Sequence, residues 1–410
     1  MKQIRDRVAG LDVHRDTVVA CVRYPANGQI VTEKATFGTT GTQVRVLAGW
    51  LADLGVTTVA MEATGVYWKP VFYPLEGLFK ELWVVNAQHV KNVPGRKTDM
   101  ADAEWLADVV AHGMVRPSLI PSPQARELRE LTRYRKTQID MRGGEIQRLE
   151  KVLQDAGIKL SSVASKVLGV STRRMIEALI AGERDPEVLA DMAMTRMRAK
   201  TDQLREVLPG WFGAHHAVLA RRILDHIDFL DATIAALDQE VLERLGPFAD
   251  AVELLKTIPG IDQRVAEVFM AETGGDMTKF ATANHLAAWA GVAPASHESA
   301  GKRRHGGTRH GGRWLRRTLI EAARAAARSK GTYLSAQYAR IARRRGPNKA
   351  AVAVAHSMIV SAFHMLSTGQ PYRELGGDYF NQRRDPDTET KRLIARLKDL
   401  GVNVTIDQAA

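Results

Sequence analysis

Cysteine is almost missing from this chain: Cys21 is the only one among 410 residues. That excludes an internal disulfide and any zinc site built from cysteine pairs. Long hydrophobic runs are missing too. The longest, Ala350 to Leu366, is short for a membrane span and is broken by His356, Ser357 and His364. The opening stretch, MKQIRDRVAGLDVHRD, has no apolar core of the signal-peptide kind. Together these absences predict a soluble, cytoplasmic protein with no membrane partner. What remains, 45% hydrophobic and 25% charged, is ordinary globular composition, long enough for two or three domains.

Acid is missing in one place only. Residues 296–350 carry 15 Lys or Arg against Glu298 and Glu321 alone, while the whole chain has a net charge of +12. The rest of the chain is therefore close to neutral. A solvated basic face normally interleaves acids with its bases, so a cationic block of this purity predicts a polyanionic partner, nucleic acid first.

The N-terminal third reads as strands, then alternating helix and strand. Thr17–Val22 is β-branched, Asn27–Gly28 is a hairpin turn, and Ile30–Phe37 alternates. Val44, Leu47, Leu51 and Leu54 have helical spacing and stop at Gly55. Thr57–Met61 is a buried strand ending at Glu62, followed by a helix around Tyr67–Leu78 and a strand at Glu81–Asn86. This order describes a mixed sheet flanked by helices.

Four carboxylates fall at notable places on it. Asp12 lies in the first strand and Glu62 ends a later one, both near the carboxyl end where open sheets bind ligands. Asp99 and Asp102, three residues apart at a helix start, share a face. Singly, each is equally a cap or a dipole partner, Asp99 especially as an N-cap. As a set they would surround two divalent cations about 4 Å apart, the arrangement for in-line displacement at phosphorus. Hard oxygen donors with no soft ligand beside them select Mg²⁺.

The segments GLDVHRD, MEATGVYW and VVNAQHVKNVPGRKTDMADAEWLADVVAHG resemble the DEDD insertion-sequence transposases of insertion-sequence family 110. The resemblance implies an α/β RuvC-like domain of RNase H fold whose metal-binding tetrad is Asp12, Glu62, Asp99 and Asp102. It also implies DNA as substrate, a structured guide (bridge) RNA as partner, and a mainly α-helical C-terminal transposase domain after a helical coiled-coil region.

After Pro121–Ser122–Pro123 the chain turns helical. Residues 161–215 read as a small helical insert, and Gly143–Gly144 break an apolar repeat before it. His215–His216 invites a metal reading, but adjacent residues do not share a helical face, so the pair is read as structural. Ile223, Ile227, Leu230, Ile234, Leu237 and Val241 follow a 4, 3, 4, 3, 4 spacing, an a/d seam. Periodicity leaves open whether it packs within one chain or between two; the resemblance favours a dimerising coiled coil, in a homodimer or a tetramer. Thr257–Ile258–Pro259–Gly260–Ile261 joins two apolar helices as in helix-hairpin-helix modules, whose loop amides face phosphates.

The most unusual stretch is GVAPASHESAGKRRHGGTRHGGRWLRR, Gly291 to Arg317. It resembles the family's Ser-Gly-Lys segment and glycine-rich basic loop, placing Ser299 at the nucleophilic serine, with Ala300 where the family more often has glycine. Ser296 is the competing position. A serine hydroxyl needs activation; His297, His305 and His310 are nearby, and the carboxylate-held metal is the more economical route. Lys302, Arg303, Arg304, Arg309, Arg313, Arg316, Arg317 and the cluster Arg343, Arg344 and Arg345 are the expected nucleic-acid-binding residues.

The expected organisation is a catalytic domain over 1–120, a helical linker over 121–250, a serine transposase domain over 251–375 and a charged tail over 376–410. The activity that the resemblance implies is DNA strand transfer through a phosphoserine. The rival is a metal-dependent, Holliday-junction-type nuclease using water, for which a serine loop far downstream has no use. A non-enzymatic nucleic-acid binder on a relic fold would not need four intact carboxylates.

Overall fold

The computed structural model describes residues 3–63, 65–86, 102–294, 297–299, 302–304, 307–308, 311–383, 386–402 and 404. The chain divides into two compact units, Met1–Ile120 and Pro121–Ala410.

The first unit is built on strands β1 (Val8–Val13), β2 (Thr17–Ala26), β3 (Gln29–Gly38), β4 (Thr58–Glu62) and β5 (Glu81–Val85), in the sheet order β3-β2-β1-β4-β5. β1 is antiparallel to β2 and parallel to β4. Asn27 and Gly28 turn the β2–β3 hairpin with φ of 50° and 76°, the left-handed pair that a two-residue turn requires. Helix α1 (Gly41–Asp53) buries Val44, Leu47 and Leu51 and, with α2 (Lys69–Leu75), covers the face bearing Ala9, Leu11, Val13, Val59 and Met61. Helix α3 (Asp102–Ala111) covers the opposite face, packing Leu106, Val109 and Val110 against Val8 and Ala60. The mixed sheet with helices expected from the sequence is present, consistent with an RNase H-like domain.

The second unit is helical except for one small hairpin. Its frame is α4 (Pro123–Asp155); a cluster of α5 (Leu160–Val163), α6 (Val170–Ala181), α7 (Pro186–Asp191) and α8 (Thr201–Val207); and α9 (Ala214–Arg244). α4 and α9 run antiparallel. Arg135 reaches Asp238, Arg142 reaches Asp231, His226 reaches Glu145, and His216 reaches Asp155, so partner numbers fall on α9 as they rise on α4. The seam residues Ile227, Leu230, Ile234 and Val241 are buried in this pairing. The apolar repeat of α9 is therefore occupied within the chain, against α4. The short helices close over the far end of the pair around Leu153, Met175, Leu179, Leu224 and Ile227.

Next come α10 (Ala249–Lys256), α11 (Gln263–Thr273), α12 (Ala283–Trp289), strands β6 (His297–Ser299) and β7 (Lys302–Arg304), α13 (Arg313–Ala326), α14 (Tyr333–Arg345), α15 (Pro347–Thr368), α16 (Tyr379–Gln382) and α17 (Pro386–Asp399). α15 is the one helix among the described residues long and apolar enough to cross a membrane. It serves as a core element instead: Ala351, Val354, Met358 and Ile359 are buried, and α10, α12, α13 and α14 pack around it. Arginines lock α4 to α11. Arg135, 3% exposed, bonds Glu267 at 2.6 Å, Arg133 holds Glu272 through two bonds of 2.7 and 2.8 Å, and Arg129 donates to the Ala271 carbonyl at the helix end.

Candidate functional site

In the first unit, the face each strand residue takes follows from β-strand alternation. Ala9, Leu11 and Met61 point to the α1 side, so Gly10, Asp12, Ala60 and Glu62 point to the α3 side. The parallel register pairs Gly10 with Ala60 and Leu11 with Met61, and the next residues along are Asp12 and Glu62. α3 passes directly over Gly10: a Cβ there would lie 2.1 Å from the Ala103 carbonyl oxygen and 2.6 Å from the Ala107 nitrogen. Only glycine admits a helix backbone this close to a strand. α3 begins at Asp102, so three of the four expected carboxylates, Asp12, Glu62 and Asp102, gather on one face of the sheet. Asp99 lies outside the described residues.

Further side chains hold α3 in place, and sequence reasoning did not single them out. Arg23 of β2 pairs with Asp108, and Lys34 of β3 with Glu104 at 2.6 Å, so the outer strands grip two acids one helical turn apart. The bond to Glu104 raises the Lys34 pKa above its ordinary value. His112 closes on the Asp108 carbonyl at 2.9 Å. Their signal in the sequence was the i, i+4 spacing of Glu104 and Asp108 facing basic residues on a hairpin. Cys21, pushed up to about 11 by burial and then by the charge of Glu104, stays a protonated thiol. At the strand end, His14 Nε2 lies 3.2 Å from Asp12 Oδ2. Asp12, Glu62 and Asp102 are hard oxygen donors of the type that suits a hard divalent cation, but their oxygens do not all lie within 4.8 Å of one another, so the three do not by themselves close around an ion.

In the second unit the serine segment is a hairpin. β6 and β7 pair antiparallel as His297 with Arg304, Glu298 with Arg303 and Ser299 with Lys302. Ser299 is thus in the closing pair. The root is stitched shut by a bridge between Pro294 and Thr308 and a bond of 3.1 Å from Gly312 N–H to the Trp289 carbonyl. Gly311 presses on Gly291: a Cβ on Gly311 would sit 2.3 Å from the Gly291 nitrogen. The hairpin therefore projects between α12 and α13 from a fixed base. Ser296, His305, Arg309 and His310 lie outside the described residues.

The other expected binding residues divide. Arg343, Arg344 and Arg345 are exposed at the C-terminal end of α14. Arg313 is exposed, its guanidinium 5.2 Å from the Trp314 ring centre, and Arg316 is half-buried on the same helix. Arg317 is exposed and also paired within the chain. It makes two bonds to Asp140 of α4, at 2.6 and 2.9 Å, and one of 3.2 Å to Glu321. Burial alone would raise Asp140, but Arg317 and Lys136 outweigh it and hold the carboxyl below its ordinary range. The Pro259–Gly260 turn does join two helices, α10 and α11. Its glycine faces inward, however, with a Cβ position 2.5 Å from the Ala322 carbonyl of α13, so its small size serves packing.

His215 and His216 are closer than the helical-face argument allowed. Their ring centroids are 3.8 Å apart, and with Asp155 they form the one cluster among the described residues able to surround a metal ion. Hydrogen bonding still assigns His216 a structural task. Its Nδ1 accepts from Gly213 N–H at 3.1 Å, which leaves Nε2 to donate to Asp155 at 3.0 Å. Both ring nitrogens are then in use, capping α9 and tying it to the end of α4.

Comparison with known proteins decides the family. Residues 9–158 match the DEDD-type IS110 transposase family, and residues 252–339 match the transposase family IS116/IS110/IS902. The chain belongs to the IS110 family of transposases. The first match contains all four carboxylate positions and the second contains the serine hairpin. This IS110-family chain is 28% identical over 253 residues to the insertion element IS900 uncharacterized 42 kDa protein of Mycobacterium paratuberculosis, covering 53% of this chain and 61% of that protein. It is 29% identical over 153 residues to y4pF/y4sB of Sinorhizobium fredii, assigned by name as a transposase, covering 36% of this chain and 39% of that protein. The chain thus spans 61% and 39% of the lengths of these relatives.

Proposed function

We propose that this protein is the DNA-cutting and rejoining enzyme of an insertion element, acting through a phosphoserine at Ser299 and a cation site formed by Asp12, Glu62, Asp99 and Asp102. The observation that carries the reading is the co-occurrence, in one IS110-family chain, of three carboxylates on one face of a sheet and a serine in the closing pair of a basic hairpin whose two ends are held together. Each part alone has blander uses.

The chemistry assigned to each residue is limited. Ser299 Oγ attacks a DNA phosphorus, an Oγ–P bond forms, one P–O bond to a deoxyribose breaks, and the serine proton ends on the leaving oxygen. The phosphodiester energy is conserved in the serine ester, so a second strand's hydroxyl can reverse the step and complete the exchange. Lys302, Arg303, Arg304 and Arg309 neutralise phosphate oxygens around the reacting one. Asp12, Glu62, Asp99 and Asp102 would hold Mg²⁺, which supplies Lewis-acid stabilisation of the charge gathering on the phosphate. Gly10 and the Arg23–Asp108 and Lys34–Glu104 pairs fix α3 so that Asp102 keeps its place. Partner selection is proposed to rest on a guide RNA, and assembly on a homodimer or tetramer.

The test is strand joining with element ends, target DNA and the element's flanking RNA in Mg²⁺. Wild type should give joined product, and D12N, E62Q, D102N and S299A should give none. Cutting that persists in S299A but not in D12N would replace this reading with the water-using nuclease; joining that ignores the RNA would remove the guide.

A further inference from the structure

A cavity of about 460 Å³ lies between α4 and α13, within the size range of pockets that take small ligands. Trp314, Met141 and Gly144 are in its lining. Asp140, Glu145 and Arg148 edge it, and Arg313 stands at its mouth beside the indole.

Gly143 and Gly144 are the unexplained part. They sit in mid-helix, where glycine is the poorest choice after proline. Gly10, Gly260 and Gly311 are small because the chain's own backbone comes within 3 Å of a Cβ position. For Gly143 and Gly144 a Cβ would meet nothing within 4 Å, and neither has a left-handed φ. The folded chain makes no use of their smallness, which is equally true of Gly49 on α1; Gly144 differs in lining the cavity.

The cavity's charges indicate what kind. Arg317 is spent on Asp140, and Glu145 holds Arg148 and His226. Two carboxylates at the edge oppose a phosphate group. A cavity lined by an indole and a thioether, with both acceptors and donors around them, suits a planar ring whose edge carries both kinds of group, which describes a nucleobase. The cavity also adjoins the start of α13, where the chain returns from the serine hairpin at Gly311.

We propose that this cavity receives one unpaired nucleobase of the nucleic acid bound by the serine hairpin, lying over the bare α4 backbone at Gly144 and against Trp314. The proposal rests on the nucleic-acid reading of the hairpin given above. DNA and RNA present the same chemistry here, so the experiment separates them.

Fluorescence anisotropy of the full-length protein would be compared for a fully paired DNA duplex, the same duplex with one bulged adenine, and an RNA duplex with that bulge. The bulged DNA or the bulged RNA, whichever is the natural source, should bind roughly tenfold more tightly than the paired duplex. Gly144→Leu, which fills the cavity, and Trp314→Ala, which removes its indole, should each abolish that preference while leaving paired-duplex affinity within about twofold. Leu is the better helix former, so Gly144→Leu should keep or raise the melting temperature, which separates cavity filling from unfolding. Equal binding of all probes, or a preference that survives Gly144→Leu, overturns this inference and leaves the nucleic-acid reading intact. Binding of none overturns both.

Discussion

Gly311 lies against Gly291 so closely that a Cβ on Gly311 would come within 2.3 Å of the Gly291 nitrogen and 2.6 Å of the Trp289 carbonyl. This contact fastens the two ends of the serine hairpin, and only a residue without a side chain permits it. Gly311→Ala should therefore open the root and lose strand joining, with a stability cost of about 1–3 kcal/mol. Gly307→Ala, in the same loop with nothing within 4 Å, is the control and should retain joining. Joined product measured beside the melting temperature checks both.

Gly10 does for the carboxylate face what Gly311 does for the hairpin. Gly10→Ala forces the Ala103–Ala107 backbone away from β1 and moves Asp102 with it. The expected result is loss of Mg²⁺-dependent cutting and a destabilisation of about 1–3 kcal/mol or more. Gly49→Ala, in open space on α1, should stabilise by about 0.5–1 kcal/mol and leave cutting unchanged. Calorimetry and a cleavage assay on the three proteins decide the matter.

Much of the first unit was readable from local chemistry. Asn27–Gly28 announced its turn, Gly55 ended α1, and the β4 run ended at Glu62, because these features depend on neighbours in sequence. What escaped depends on distant partners. The arginines of α4 look like surplus charge in the sequence, yet Arg133 and Arg135 are committed to Glu272 and Glu267 far along the chain. The pairing of Arg317 with Asp140, far back in the chain, had no signal in the sequence. The β6–β7 pairing was hidden in a glycine-rich basic stretch with poor strand propensity, and the Gly291–Gly311 contact at its root joins residues twenty apart. His215 and His216 come together, with their rings tilted by 40°, at the first turn of α9, where the long-helix face argument is weakest.

The Arg135–Glu267 pair gives a further test of the second unit. The two side chains are 3% and 5% exposed; Arg135 keeps Asp238 if Glu267 is lost, whereas losing Arg135 leaves the buried Glu267 carboxylate without a counter-charge. Arg135→Met should therefore cost about 3–5 kcal/mol, whereas replacing both by apolar residues of similar volume should be close to neutral. Denaturant unfolding of the single and double variants reads the coupling. Equal losses in the two would contradict it.

His356 sets a pH dependence. Burial holds its imidazole below the ordinary value, so the unfolded chain takes up a proton at a higher pH than the folded one does. Stability from this residue is complete above the unfolded value, near 6.5. It declines as pH falls toward the lower folded value. Between about pH 7.5 and about pH 5.5, wild type should lose more melting temperature than His356→Leu. An equal or smaller loss would place His356 in a solvated setting.

The central claim is that a serine carries the DNA. The direct measurement is to trap protein–DNA adducts on a denaturing gel from purified protein, labelled element ends, flanking RNA and Mg²⁺. The account predicts an adduct in wild type and in Ser296→Ala, none in Ser299→Ala, and none in Asp12→Ala. Cleaved DNA without any adduct, with cutting intact in Ser299→Ala and abolished in Asp12→Ala, would contradict it.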